Sequence, residues 1–352
     1  MIPSVCFRGN LKPRTGYGTI PENLGRVLES WGCRVTYDDY ACGWHTHQYT
    51  EYVARRMNGF APSACVIHCA PPDIPFDDTE PTICLTMWES SDLPAKALPS
   101  LNRSRAVAVA SRWNAVNFLA AGVTRPIHVV PLAINTDVFQ FRPRPIDGPT
   151  IFGMAARLVA GGCRKGINEG VRAFRDAFPA GDEPAVLRIR IWEDDLPYLD
   201  PVIDPRIEVR TDPVPQEGLA EWYHGLTCLF VPSKAEGFGM HTIEAMACGV
   251  PVIACRYSGT ADFFDDRSGW ELAYDIVPAT GLYEGCGVWA EPRHASMVHA
   301  LRAAHYGRVA CRPKGAHAAA MASAYTWDNS ARALMDVIES VQPTVTDALL
   351  AT

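Results

Sequence analysis

The sequence lacks a long apolar run and an excess of positive charge. A bilayer-spanning helix needs about 18 or more consecutive apolar residues. No such run occurs, so we expect no transmembrane helix, with a peripheral membrane contact left open. Residues 1–8 show no charged region followed by an apolar one, so we expect no signal peptide and a cytoplasmic location. The net charge of −7 disfavours a general nucleic-acid binder. Basic residues at 55–56 and 302–314 keep nucleic acid open as a partner.

The sequence also lacks the residue spacings of a metal site or a disulfide scaffold. Its 12 cysteines are scattered and no C-x-x-C occurs, so reduced, mostly buried thiols are the simplest interpretation. Neighbouring aspartates occur at 38–39, 77–78, 194–195 and 265–266. None has D-x-D spacing, and turns favour aspartate in any case. The acidic run 193–195 directly follows a predicted strand, and its role stays open. We predict no metal and no resident cofactor.

Alternating strands and helices organise the chain as two domains. A chain of 352 residues, 48% of them hydrophobic, is long for one core. Short apolar strands alternate with amphipathic helices almost throughout, which predicts parallel sheets. The proline-rich window 139–149 interrupts this pattern. We therefore predict domains at 1–143 and 144–326, then a closing helix and tail at 327–352. Predicted strands include 4–8, 64–68, 82–87, 106–110, 127–130, 150–155, 186–192, 207–209, 227–231 and 251–254.

Two glutamates, Glu236 and Glu244, stand at the ligand end of a predicted strand, glycine-rich loop and helix. Gly237 and Gly239 let the backbone approach a ligand closely, and a helix N-terminus binds anions. Carboxylates repel phosphate, so these glutamates should accept hydrogen bonds from neutral donors such as sugar hydroxyls. Glu244 lies in an otherwise apolar helix, where an unpaired buried carboxylate is costly and a diol would satisfy it. The alternative is one capping and one surface glutamate.

A second cluster follows the first strand of the second domain. That strand delivers Arg157 at its carboxyl end, and a glycine-rich loop containing Arg164 and Lys165 leads into a helix. Two cations here suit a bound diphosphate, whose negative charge they would balance. A solvated basic loop is the alternative interpretation.

The glutamate motif, Glu236-GFGMHTI-Glu244, resembles the E-x7-E signature of retaining GT-B-fold glycosyltransferases of the family-4 type. The resemblance extends over nearly the whole chain, through blocks at 86–91, 109–114, 131–139, 289–292 and 325–328. It implies a GT-B fold, in which two doubly wound Rossmann-like domains face each other across a cleft. It also implies that the last helix crosses back onto the first domain.

The resemblance assigns roles in the second domain. Glu236 would contact the donor sugar, and Glu244 would hold the nucleotide ribose. Thr242 would lie where the helix begins and meets the diphosphate. Arg157 and Lys165 would be the cations that stabilise the leaving group, with Arg164 as a rival for Lys165. Backbone groups touching sugar hydroxyls would come from Phe238, Gly239 and Met240.

The first domain offers weaker candidates for the same site. Gly16 and Gly18 follow the first strand and loosely match the glycine-rich first loop of the family, although a plain turn is an equal alternative. His68 ends a strand where the family has a histidine near the anomeric centre. A satisfied core histidine is the alternative. Glu89, in the loop after another strand, is the acceptor-side candidate.

These expectations define a metal-independent hexosyltransferase. It would move a hexose from a nucleotide sugar, with UDP as the first choice of nucleotide, to the hydroxyl of an unidentified acceptor, with retention at the anomeric carbon. A nucleotide-sugar epimerase of the same fold is the alternative reaction. A glucosyltransferase acting on a hydroxylated nucleic-acid base is the alternative by acceptor.

Overall fold

The computed structural model describes residues 4–9, 11, 16–39, 50–57, 65–74, 82–144, 147–158 and 162–341. Its strands are β1 Ser4–Gly9, β2 Arg34–Asp39, β3 Cys65–Cys69, β4 Thr82–Thr86, β5 Ala106–Val109, β6 Ile127–Val129, β7 Thr150–Ala155, β8 Ala185–Arg190, β9 Ile207–Arg210, β10 Cys228–Val231, β11 Val252–Ala254, β12 Gly269–Glu271, β13 Tyr274–Pro278 and β14 Val288–Pro292. Its α-helices are α1 Gly16–Ser30, α2 Glu51–Ala54, α3 Leu98–Arg103, α4 Arg112–Ala120, α5 Gly162–Lys165, α6 Ile167–Ala177, α7 Gln216–His224, α8 Met240–Ala247, α9 His294–Tyr306, α10 Cys311–Ala322 and α11 Trp327–Val341.

The chain divides into two compact units. Unit 1 contains residues 1–88, 92–133 and 325–352, and unit 2 contains residues 89–91 and 134–324. Residues 89–91 therefore belong to unit 2, although the rest of their loop belongs to unit 1. The sequence-based boundaries at 143/144 and 326/327 stay predictions.

Unit 1 is built on a parallel sheet in the order β2-β1-β3-β4-β5-β6. Every residue of β3, β4 and β5 is buried, as expected for parallel strands covered on both faces. The strand order reverses between β1 and β3. Ligands of such sheets bind at the carboxyl ends of the strands, at this reversal point.

The last helix, α11, belongs to unit 1 and confirms the predicted return of the chain. It packs against α1, and its inner face buries Leu334, Val337 and Ile338. The Arg105 guanidinium donates to the carbonyl of Val341 at 3.0 Å. A helix more than 200 residues distant in sequence therefore completes the first core.

Unit 2 is built on a second parallel sheet in the order β12-β11-β10-β7-β8-β9. This order is that of the classical dinucleotide-binding fold, whose reversal point lies between its first and fourth strands. Here these strands are β7 and β10, which are directly hydrogen-bonded. Their carboxyl ends lead into the loops that carry the candidate basic and acidic residues. The aromatic rings of Phe152, Phe174 and Phe178 pack against one another in edge-to-face or tilted pairs in the core of this unit.

A buried arginine fastens the entry of unit 2 to its core. Arg144 is 2% exposed, and within the described part of the chain its guanidinium donates to backbone carbonyl groups only. They belong to Arg142, Tyr223, His224, Leu226 and Cys248. The carbonyl of Arg142 lies in the entry segment, and the others lie at or just after the C-terminal ends of α7 and α8, so Arg144 links that segment to both helix ends.

An antiparallel hairpin, β13–β14, is a feature that the sequence pattern did not predict. Its two strands pair over Tyr274–Pro278 and Val288–Pro292, and several of its side chains are exposed. Strands β2 and β12 were also missing from the predicted set. After β4, a 3₁₀ turn at Ala95–Ala97 leads directly into α3. Each strand that the sequence predicted is present, and the two doubly wound sheets are confirmed.

The structure bears on membranes, metals and thiols only within the described ranges. No helix there is both long and apolar enough to cross a bilayer. No group of three or more His, Cys, Asp or Glu side chains in those ranges could hold a metal ion. The described cysteines form no disulfide with one another, and all of them are buried except Cys163.

Candidate functional site

Glu236 and Glu244 flank the beginning of α8 in unit 2. The loop after β10 carries Glu236, and α8 begins at Met240 and places Glu244 on its second turn. Gly239 joins the two with φ of 103°, a conformation that side chains with a Cβ rarely adopt. A Cβ at this position would lie 2.8 Å from Thr260 Cγ2. Glycine is therefore required for the loop to approach the helix N-terminus in this way.

Glu236 is a buried carboxylate held by two cations. Lys165 Nζ donates to its two oxygens at 2.7 and 2.9 Å, and Arg164 Nη1 donates at 3.2 Å. Its backbone N–H donates to Ser258 Oγ at 2.8 Å. Burial alone would raise the pKa of Glu236, yet the charges of Lys165 and Arg164 hold that pKa well below its usual range. Glu236 is therefore ionised and fixed, and it is 6% exposed.

The loop that contains Arg164 and Lys165 comes from the neighbouring strand β7. Gly166 makes this placement possible: its φ is 65°, and a Cβ there would lie 2.3 Å from the carbonyl oxygen of Pro232. The short helix α5 thus lies directly against the loop of Glu236. Burial and the adjacent Arg164 lower the pKa of Lys165. Lys165 and Arg164, the two candidates for the same cation position, both contact Glu236.

Arg164 also reaches a second carboxylate. Its Nη1 donates to the carbonyl of Ala235 at 2.6 Å, and its Nη2 lies 4.0 Å from Glu89 Oε1. The other oxygen of Glu89 accepts a hydrogen bond from the Tyr283 hydroxyl at 2.7 Å. Glu89, predicted on the acceptor side, thus lies within unit 2 beside the cation that holds Glu236.

Glu244 has a neutral partner. The Tyr223 hydroxyl of α7 donates to its Oε2 at 3.0 Å. Burial raises the pKa of Glu244 to about 7, and the hydrogen bond from Tyr223 opposes that rise. The two glutamates therefore differ: Glu236 is ionised throughout the physiological range, whereas Glu244 titrates within it.

Arg157 lies with a different set of partners from Lys165. Its Nε is 3.7 Å from Asp195 Oδ2, and its guanidinium lies 4.7 Å from the centre of the Trp192 ring. Asp195 is fully buried and accepts from the backbone N–H groups of Leu158 at 2.8 Å and Trp192 at 3.0 Å. The acidic run after β8, whose role the sequence left open, thus supports the loop that carries Arg157.

The loop before α8 and the first turn of that helix carry three further side chains of the site. Thr242 is fully buried, and its Oγ1 finds no hydrogen-bond partner among the described residues. Phe238 is 1% exposed and packs its ring against Phe263 at a centroid distance of 5.2 Å. Burial lowers the pKa of His241 to about 4, against the opposing effect of Glu236. A neutral histidine next to Glu236 was not foreseen, although it lies inside the motif itself.

The candidates of unit 1 lie around the reversal point of their own sheet. Gly16 and Gly18 are in the first turn of α1. Between them, the Tyr17 hydroxyl donates to the carbonyl of Met87 at 2.8 Å and accepts from its N–H at 3.0 Å. His68 is 1% exposed within β3, and burial, with a contribution from Arg8, lowers its pKa to about 3. His68 is therefore a neutral imidazole.

Three tyrosines whose hydroxyl groups hold candidate segments in place could not be identified from the sequence. Tyr17, Tyr223 and Tyr283 each donate a hydroxyl to a group at least 21 positions away along the chain. Nothing in the local pattern around these residues indicates such a partner. By contrast, the spacing of Glu236 and Glu244 is local, and the structure brings both to the same helix end.

Comparison with protein families identifies one match in the second half of the chain. A family profile described as "Family 4 Glycosyltransferase in conflict systems" matches residues 149–334, more than half of the chain. The matched segment contains the candidate cations, both glutamates and the hairpin.

Curated relatives share the same region at moderate identity. A D-inositol 3-phosphate glycosyltransferase of Acidothermus cellulolyticus is 31% identical over 175 residues, which cover 47% of this chain and 37% of the relative. One of Corynebacterium kroppenstedtii is 30% identical over 213 residues, which cover 60% of this chain and 41% of the relative. The chain thus spans about two fifths of the length of these relatives.

Solved structures share the fold over the whole chain. A sucrose-phosphate synthase of Thermosynechococcus elongatus aligns with a TM-score of 0.71 at 15% identity, covering 96% of this chain and 99% of that one. The lipopolysaccharide outer core galactosyltransferase WaaB aligns with a TM-score of 0.63 at 15% identity, covering 96% and 100%. These likenesses confirm the GT-B fold.

Proposed function

We infer the activity of this chain from its family. The chain belongs to the family 4 glycosyltransferases, enzymes that transfer a sugar from a nucleotide-sugar donor. The proposed reaction is the transfer of a hexosyl group from UDP-hexose to an acceptor hydroxyl, with retention at the anomeric carbon and without a metal ion. Unit 2 holds the donor, and unit 1 supplies the acceptor side.

One observation carries this proposal: two differently stabilised glutamates lie at one helix N-terminus at the reversal point of the unit 2 sheet. Glu236 is ionised and its charge is balanced by Lys165 and Arg164, so it suits neutral hydrogen-bond donors such as sugar hydroxyls. Among the described residues, the Glu244 carboxylate accepts a side-chain hydrogen bond from Tyr223 alone. A ribose diol supplies two further donors, which favours nucleotide binding.

The diphosphate fits the N-terminal end of α8, between Glu236 in the preceding loop and Glu244 within the helix. The backbone N–H groups there and the helix dipole favour an anion, and the unpartnered Thr242 Oγ1 is a further donor. Arg157 and Lys165 come from the loops after the neighbouring strand β7. Positive charge at these positions stabilises the leaving diphosphate as the glycosidic bond breaks.

The arrangement does not favour a covalent intermediate on Glu236. Its oxygens are engaged by Lys165 and Arg164, and a carboxylate bound by two cations is a weak nucleophile. We propose instead that the acceptor attacks from the face that the nucleotide leaves. The departing phosphate oxygen then takes the proton of the acceptor hydroxyl, and the bond to the anomeric carbon passes from one oxygen to the other.

The donor and the acceptor are tested together. The protein is incubated with UDP-glucose, GDP-mannose or ADP-glucose, with and without D-inositol 3-phosphate, the acceptor in the names of the matched relatives. We expect UDP release that increases with acceptor. NMR of the product should show the same anomeric configuration as the donor.

Two controls separate the alternatives. Glu236→Gln should suppress transfer, whereas the exposed Glu217→Gln on α7 should not. Conversion of UDP-glucose to another UDP-sugar without acceptor would instead identify an epimerase. Failure to bind or turn over any of the three donors would refute the proposed reaction.

A further inference from the structure

The hairpin β13–β14 carries a loop whose backbone is closely fixed. Residues 279–287 connect its two strands, with Ala279 N–H donating to the carbonyl of Gly287 at 2.9 Å. Within this loop, Tyr283 N–H donates to Thr280, and the Tyr283 carbonyl accepts from Cys286 at 2.9 Å. The loop is therefore an ordered support for the side chain of Tyr283.

The two ends of the hairpin loop contact two segments, the short helix α5 and residues 89–91. Thr280 Oγ1 is 3.6 Å from Cys163 Sγ, on the same short helix as Arg164. At the opposite end, Val288 exchanges two hydrogen bonds with Ser91: its N–H donates to Ser91 Oγ at 2.8 Å, and its carbonyl accepts from Ser91 N–H at 3.1 Å. These contacts keep the segment 89–91 beside Tyr283.

Tyr283 orients Glu89 and, through it, Arg164. The hydroxyl donates to Oε2 of Glu89 at 2.7 Å, which leaves Oε1 towards Arg164 Nη2 at 4.0 Å. The ring of Tyr283 lies 5.7 Å from the Arg164 guanidinium and packs against Trp289 at 5.9 Å. Arg164 is thus held between two carboxylates, with Glu89 on one side and Glu236 on the other.

The charges of this cluster balance only when Glu89 is included. Arg164 and Lys165 carry two positive charges within a buried environment, and Glu236 carries one negative charge. Because unpaired buried charge is costly, the second carboxylate is needed to keep Arg164 in place. A displaced Arg164 would withdraw one of the two cations that orient Glu236.

We infer that Tyr283 is a positioning residue for donor-sugar recognition: through Glu89 and Arg164, it fixes the Glu236 carboxylate in the orientation that receives the sugar hydroxyls. The inference rests on the proposed function, in which Glu236 contacts the sugar. It assigns a role to the hairpin and places Glu89 in donor positioning. The ribose partner Glu244 is held independently, by Tyr223.

The test separates the sugar from the nucleotide. The affinities of UDP and UDP-glucose are measured by calorimetry for the unmodified protein, Tyr283→Phe, Glu89→Gln and the double variant. Tyr283→Phe keeps the ring that packs on Trp289 and removes only the hydroxyl. We expect UDP affinity to stay within about twofold and UDP-glucose affinity to fall roughly tenfold, the size of one lost hydrogen bond to a charged group.

The variants also show whether the contacts act as a chain. Glu89→Gln should reproduce the selective loss, and the double variant should lose little more than either single variant, because both changes break the same connection. Leu282→Ala, an exposed neighbour of Tyr283, is the control and should bind both ligands normally. Thermal unfolding of each variant identifies any general loss of structure.

Two results would overturn the inference. One is equal weakening of UDP and UDP-glucose binding by Tyr283→Phe, which indicates a general structural role. The other is unchanged binding of both ligands. If the unmodified protein binds UDP but gains nothing from the glucosyl group, the proposed hexose donor is wrong. That outcome concerns the proposed function, and it is read from the unmodified protein alone.

Discussion

The raised pKa of Glu244 predicts that this glutamate weakens the folded protein at neutral and alkaline pH. Its pKa is about 7 in the folded chain, against an ordinary value of 4.5. A carboxyl group whose pKa rises on folding binds more protons in the folded state. Stability therefore falls as pH increases from about 4.5 to about 7 and stays reduced above that range.

The size of the effect follows from this difference. With about 1.36 kcal/mol for each pH unit between the two pKa values, ionised Glu244 costs at most about 3–4 kcal/mol well above pH 7. Glu244→Gln removes the charge and keeps an oxygen that accepts from Tyr223. We expect the variant to exceed the unmodified protein in stability at pH 8 and to match it near pH 4.5.

Thermal unfolding at the two pH values measures this difference. The relevant transition is the one that UDP shifts in the unmodified protein, since a ligand stabilises the unit that binds it. The exposed Glu217→Gln on the neighbouring helix α7 controls for the loss of one carboxylate. A Glu244→Gln variant that is no more stable than the unmodified protein at pH 8 would show that ionised Glu244 does not destabilise the folded protein.

Two further predictions concern the loops that carry Arg157 and Gly239, beside α8. Arg157→Ala should lower the rate of nucleotide release on the order of a hundredfold, as for loss of one charge-stabilising donor, with a small effect on thermal stability because its side chain is 35% exposed. A less stable variant with normal specific activity would contradict its role. Gly239→Ala should lower thermal stability by about 1–3 kcal/mol, since it combines positive φ with a close contact to Thr260. Gly181→Ala, with φ of 81° and open space around it, isolates the effect of φ; equal losses in the two variants would exclude the contact.

The sequence predicted the parts of the structure that depend on local pattern. Strand and helix periodicity located both sheets, and the spacing of Glu236 and Glu244 located the helix end. The return of α11 to unit 1 was predicted from the family resemblance, and periodicity alone indicates only a helix.

The sequence could not predict the partners that fix the site. The hydrogen bond from Tyr283 to Glu89 joins positions 194 apart, and no local pattern encodes such a pairing. The hairpin was missed because β13 is short and largely exposed, so it lacks the apolar alternation of a buried strand. The different ionisation of Glu236 and Glu244 was also hidden, since it depends on burial and on cations from another loop.

The buried guanidinium of Arg144 has a consequence for how unit 2 opens. Its carbonyl partners lie in the entry segment at Arg142 and at the ends of α7 and α8. Separation of any of these segments leaves part of the buried guanidinium without its acceptors. We therefore expect them to open together as one cooperative unit, so that the two helices that carry Tyr223 and Glu244 lose their protection against hydrogen exchange in a single event.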